Sequence, residues 1–160
     1  MTQVAKNIYP RVFFVKSGVG GTVTGTTTET ALVTLDLPAG ALGPKGFIRL
    51  TLNFSHTNNA NVKTVRARLG GIAGTAFAGP AVTSNARTHL IVHIYNRTAT
   101  SQIAGTNNGN NVGYGQSTTG QVTGTVDTTV AQTLVVTGEL ATSTDTITLE
   151  SYIYEYHYQE

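Results

Sequence analysis

The sequence predicts an all-β protein, an antiparallel β-sandwich of jelly-roll-like form with about eight to ten strands. Three observations lead there. Thr is the most frequent residue, Gly stands at 18, and charged residues are only 11%, against about 25% in typical domains. Several segments alternate apolar and polar residues strictly, and none carries a helical period. Turn-forming clusters separate these segments at the spacing of a sandwich. Two packed sheets of about eight antiparallel strands make a jelly roll. An immunoglobulin-like topology would want a Trp and a Cys pair, and the chain has neither.

The 160 residues suit one domain that buries enough surface to fold without staples. Residues 1–28 read as an N-terminal arm or linker, and residues 29–160 as the sandwich. Within the arm, Arg11–Lys16 has the composition of a short strand, and Ser17–Thr30 is Gly- and Thr-rich. Glu29–Leu37 follows as a strand with Ala31, Val33, Leu35 and Leu37 on one face. Pro38–Gly46 is a turn-rich connection.

Phe47–Leu69 is the clearest pattern. Ile48, Leu50, Leu52 and Phe54 share one face, and Arg49, Thr51, Asn53 and Ser55 the other. After the polar stretch His56–Asn61, Val65, Ala67 and Leu69 alternate with Thr64, Arg66 and Arg68. The pattern predicts a hairpin. Pairing Leu50 with Leu69 keeps Arg49 from lying opposite Arg68, since like charges directly opposite are destabilising. Ile72–Ala78 is a short strand. Arg87–Tyr95 is apolar on both parities, which predicts a central strand with little exposure. Ser101–Ala104, Gln121–Asp127 and Thr129–Thr137 complete the middle of the chain around the Gly- and Asn-rich stretch Gly105–Gly120. In the last strand, Asp145–Tyr158, strict alternation sets Ile147, Leu149 and Ile153 against Tyr152, Tyr154, Tyr156 and Tyr158.

No chemistry-bearing constellation emerges, so no catalytic residue, cofactor or metal is expected. His89 and His93 have the spacing of a helical metal pair. On a strand they stand about 13 Å apart, too far to share one ion. The eight acidic residues are dispersed, and no nucleophile elbow, phosphate loop or zincin motif occurs. Net charge is +2 with scattered basic residues, which argues against nucleic acid as a partner. No apolar run reaches the roughly 18 residues of a membrane helix, so no membrane partner is expected. The absence of Cys and of an apolar leader after Met1 points to synthesis in a cytoplasm. Asn53-Phe-Ser55 and Asn96-Arg-Thr98 match the glycosylation sequon, a motif frequent by chance.

Two surface features invite contacts. Arg49, Arg66 and Arg68 are expected together on the outward face of the hairpin, facing solvent or the acidic groups of a neighbour. Tyr152, Tyr154, Tyr156 and Tyr158 form a row that suits half-buried sheet packing, a subunit interface or stacking on sugars. Pro38–Gly46, Ser55–Thr64, Leu69-Gly-Gly71 and Ile94–Gln102 resemble small all-β virion proteins of tailed bacteriophages, a resemblance covering roughly residues 30–104. It implies a virion component: a homotrimeric capsid decoration (cement) protein that bridges subunits of the major capsid protein, or a fibre or spike module recognising a host glycan.

Overall fold

The computed structural model describes residues 12–104 and 120–160. In chain order the strands are β1 (Val12–Ser17), β2 (Thr22–Thr24), β3 (Thr30–Leu37), β4 (Phe47–His56), β5 (Lys63–Leu69) and β6 (Thr75–Ala78). Then follow β7 (Ala81–Val82), β8 (Arg87–Thr98), β9 (Ser101–Ala104), β10 (Val122–Gly124), β11 (Gln132–Leu140) and β12 (Thr146–His157). They form two antiparallel sheets. The larger runs β1-β12-β4-β8-β9-β10, with β2 also on β12. The smaller runs β3-β11-β5-β6, with β7 also on β5. The pairings are nested: β1 and β2 with β12, β3 with β11, β4 with β8, β5 with β6 and β7. One long antiparallel hairpin, wound so that successive limbs alternate between sheets, gives this order. It is the jelly roll that the strand pattern predicted.

The parity assignments for Phe47–Leu69 hold, but the hairpin does not form. Ile48, Leu50, Leu52, Phe54, Val65, Ala67 and Leu69 are all buried in one core. Yet β4 pairs with β12 and β8, while β5 pairs with β11, β6 and β7. The 57–62 connection crosses from one sheet to the other, and the two apolar faces meet across the sandwich. Alternation says which side of a strand is buried. It does not say whether two strands are neighbours in one sheet or face each other in two.

Residues 12–24, inside the expected arm, are sheet. β1 and β2 lie end to end along β12, interrupted at residues 18–21. There Gly21 N bonds Leu32 O at 2.9 Å, and Leu149 N bonds Gly21 O at 2.9 Å. A Cβ on Gly20 would come within 2.4 Å of Leu149 O, so only glycine lets the chain cross β12 this closely.

The same place explains the tyrosines. β12 has a bulge at Glu150: Leu149 pairs with Phe54 and Ser151 with Asn53. One extra residue inverts the parity of everything after it. Ile147 and Leu149 face the core before the bulge, and Tyr152, Tyr154 and Tyr156 face it afterwards. Tyr154 is 1% exposed, its hydroxyl donates to Asp36 O at 3.3 Å, and burial pushes its phenol pKa up. The expected row at an interface is therefore core for Tyr154 and Tyr156. Tyr152 is partly buried against that core. Tyr158, 37% exposed, is the member that reaches the surface.

Polar hubs close both ends. At one, Asn96 Nδ2 donates to Gly43 O and Thr128 Oγ1, each at 2.9 Å, and Gln102 Nε2 donates to Asn96 Oδ1 at 3.1 Å and Val126 O at 2.9 Å. At the other, Lys63 and Asp145 are buried among Asn59 and Asn61. Each buried polar group needs such partners or costs a few kcal/mol.

Chemical denaturation should show that Tyr154→Ala loses about 3–5 kcal/mol, as for other large core aromatics. A loss under about 1 kcal/mol would put this ring outside the core. Deleting Glu150 should regularise β12, leave all three tyrosines inward and shift Tm by only a few degrees. A collapse of the fold on that deletion would contradict the bulge assignment.

Candidate functional site: the outer face of the larger sheet

Cross-strand partners share a face, so the register gives the surface of the larger sheet row by row. One row is Phe14, Glu155, Arg49 and His93. The next is His157, Phe47, Tyr95 and Ile103. On the other side lie Lys16, Ile153, Thr51 and Ile91, then Ser151, Asn53 and His89. Phe14 is 48% exposed, Tyr95 42% and Ile91 40%. β8 was expected to be covered on both sides. It is central, but this side is open, and its apolar members stand in solvent.

The rings are ordered among themselves. Phe47 stacks on His157 with centroids 4.2 Å apart and tilts against Tyr95 at 5.5 Å. His93 lies 6.0 Å from Tyr95. Among the charges, Arg49 pairs with Glu155, whose side chain is largely covered while the guanidinium is half exposed. Burial, and then the charge of Arg49, hold the His93 pKa below its ordinary value, against an opposing pull from Glu155. Asn53 lies between two partners: its Nδ2 donates to Ser151 Oγ at 2.8 Å, and its Oδ1 is 2.6 Å from His89 Nδ1. At the margin, β1 runs along β12 by one edge. No described strand pairs with its other edge, so half of its backbone N–H and C=O groups form an open edge.

The three arginines expected on one patch are split. Arg49 lies on the larger sheet. Arg66 and Arg68 lie on the outer face of the smaller sheet, where β11 separates β5 from β3. There Arg68 forks onto Glu29, Nε to Oε1 at 2.7 Å and Nη2 to Oε2 at 2.9 Å, and its Nη1 reaches Gly74 O at 2.9 Å. Arg66 reaches Glu29 Oε2 at 3.1 Å and also Glu139. Burial would raise the Glu29 pKa. The hydrogen bonds from Arg68 and Thr137, with the two guanidinium charges, outweigh it and hold the carboxyl below its ordinary value. These cations are thus compensated inside the chain. Among the described residues no three His, Asp or Glu side chains converge as a metal site.

Two features escaped sequence reasoning. The exposed apolar members of β8 read as core because both parities were apolar. Lys63 shares the buried parity of Val65, Ala67 and Leu69, and that placement is the signal that could have exposed its hub. Beside this hub, His56 is 8% exposed; its Nε2 lies 3.1 Å from Thr88 Oγ1 and its Nδ1 is buried without a partner. Burial and the Lys63 charge lower its pKa.

The two lowered histidines set the acid response. Between the folded and the unfolded pKa values, the unfolded chain binds more protons, so stability rises with pH there. Their contribution is complete above the ordinary value of 6.5 and is lost as pH falls below it. The carboxylates of Glu29 and Asp145, also lowered, add their loss only below their ordinary values of 4.5 and 3.8. Tm should therefore be level from about pH 7 to 9 and lower at pH 5. Gln at both 56 and 93 should flatten that drop; an equal drop in the double variant would contradict the assignment.

No protein-family model matches this chain, and no curated protein matches it. Among solved structures it is similar to infectious bursal disease virus, Gx strain, at 14% identity and a TM-score of 0.37, covering 94% of this chain and 40% of that one. The Gt strain is similar at 12% and 0.30, with 92% and 42% covered. The VP2 subviral particle of the same virus is similar at 13% and 0.30, with 92% and 41% covered. The chain spans about two fifths of the length of these matches.

Proposed function

We propose that this chain is a structural virion protein, a homotrimeric capsid decoration protein that stabilises a phage head by bridging neighbouring capsid subunits. The observation that supports it most is the outer face of the larger sheet. Phe14, Ile91 and Tyr95 are each at least 40% exposed on one continuous surface that ends in the open edge of β1. Exposed apolar groups gathered on one face mark a contact surface more often than chance. Aromatic residues are enriched at such surfaces, and an open strand edge accepts another chain. The resemblance of residues 30–104 to phage virion proteins points the same way. A closed trimer would cover edges of this kind.

The contact surface moves accordingly. Arg66 and Arg68 are satisfied by Glu29 and Glu139, so they are poor candidates for an acidic neighbour. Removing residues 1–28 would strip β1 and β2 from β12; point substitutions test the face without that damage. In the alternative, a fibre or spike module binding a host glycan, the buried tyrosines are not available for stacking. The Gly- and Asn-rich stretch Gly105–Gly120, which such a module would also use for recognition, lies outside the described residues but for Gly120. Tyr95 beside Phe47 is the exposed aromatic pair that this alternative retains.

Phe14→Asp, Ile91→Asp and Tyr95→Asp, each alone, should leave Tm within a few degrees, because they alter surface positions. Each should weaken binding to isolated heads at least tenfold, as expected where a charge enters a packed contact. Heads saturated with the wild-type protein should resist heating better than bare heads. Variants that coat heads like the wild type, or a wild-type protein that binds host cells and not heads, would overturn the proposal.

A further inference from the structure

The Lys63 hub has the anatomy of a cation site with the cation already supplied. The ammonium is 0% exposed. Its three N–H bonds are matched by three oxygens: Asn59 Oδ1, Asn61 O at 2.8 Å and Asn59 O at 3.3 Å. Asp145 Oδ2 stands 3.9 Å away as counter-charge, and Asp145 is 2% exposed. Asn59 Nδ2 donates to Asp145 Oδ1 at 2.6 Å, and Asn61 Nδ2 to Asp145 Oδ2 at 3.0 Å. Asn59 turns its side-chain oxygen to the cation and its side-chain N–H to the carboxylate, and an amide carries both groups; Asn61 gives the ammonium its backbone carbonyl and the carboxylate its side-chain N–H.

The cage also gathers three connections at one end of the sandwich. Residues 57–62 wrap the ammonium. Asp145 begins the approach to β12. Ser84, in the β7–β8 connection, has φ 48° and donates its N–H to Asn59 O at 2.6 Å. A non-glycine residue held at positive φ shows that the surroundings dictate its backbone.

We propose that Asn59, Asn61 and Asp145 form an ammonium-binding site whose resident ligand is the side chain of Lys63. With that side chain shortened, the site would take a free primary alkylammonium ion. Lys63→Ala removes three methylenes and the ammonium, and a free ion must keep van der Waals distance from the Cβ that remains, so methylammonium, whose carbon takes the place of Cε, is the ion that fits. Lys63→Met keeps an apolar stem in the channel and leaves no room for the ion.

The test is thermal unfolding of the full chain in methylammonium chloride, with tetramethylammonium chloride at equal concentration as the control for ionic strength. Lys63→Ala should lower Tm by about 10 °C, as expected for an unpaired buried carboxylate. Methylammonium should restore at least half of that loss with a saturable dose response. Wild type and Lys63→Met should not respond. If Lys63→Ala does not fold alone, the fraction refolded in each salt is the readout, with recovery in methylammonium only. The proposal is overturned by a Lys63→Ala Tm within about 2 °C of wild type. Equal shifts in all three proteins, or equal failure to refold in both salts, also overturn it.

Discussion

The fold depends on one apolar layer that two sheets must share. Every limb of the wound hairpin has to turn the correct parity toward it, through connections that switch sheets. Where simple alternation would fail, the chain inserts a correction. Glu150 is the clearest case: it makes no ladder pair with β4, yet it allows Leu149 on one side and Tyr152 on the other to face inward together. The correction needs room, and Gly20 supplies it by letting the neighbouring strand position break beside Leu149. The bulge, the glycine and the interruption between β1 and β2 are three aspects of one adjustment.

This explains what could be read from the residues and what could not. Parity was legible in β4 and β5, because each has an unbroken apolar alternation and each buries that set; β8 is apolar on both parities, and it buries Leu90, Val92 and Ile94 while Ile91 and Tyr95 stand exposed. Pairing was not. Ile48–Phe54 and Val65–Leu69 look the same whether they are side by side or face to face, and only the long-range partners β12 and β11 decide. The tyrosine row was misassigned by a single uncounted residue, since a period of two carries no tolerance for a bulge. Arg49 and Arg68 were grouped by a hairpin that is absent. Lys63 was readable in principle, as a charged residue on a buried parity. The strand β2 was hidden in a Thr- and Gly-rich stretch whose composition suits a linker equally well.

The two outer faces then divide the surface by chemistry. On the smaller sheet, Arg66, Arg68, Glu29, Glu139 and Thr137 satisfy one another. Such a face has little to gain from a partner, because any new ion pair would have to replace one already made. On the larger sheet, Arg49 pairs with Glu155, Lys16 lies exposed in the neighbouring row, and aromatic and aliphatic side chains that water still reaches are set among them. Covering that face removes apolar area from water. The ends of the sandwich are closed by the Asn96–Gln102–Thr128 and Lys63–Asp145 hubs, so contacts at the open face act on a rigid body. A durable shell component needs that combination, a stiff scaffold with one unsatisfied side.

On the function proposed above, the outer face of the larger sheet is the surface through which this chain is held on a particle. A density map of intact virions, detailed enough to place the sandwich and tell its sheets apart, tests it most directly. Density for this chain is expected on the head. Phe14, Ile91 and Tyr95 should be covered by a capsid subunit or a second copy of the chain, and the Arg66–Arg68 face should stand in solvent. The opposite orientation, with the larger sheet open to solvent and the smaller sheet in contact, would contradict it.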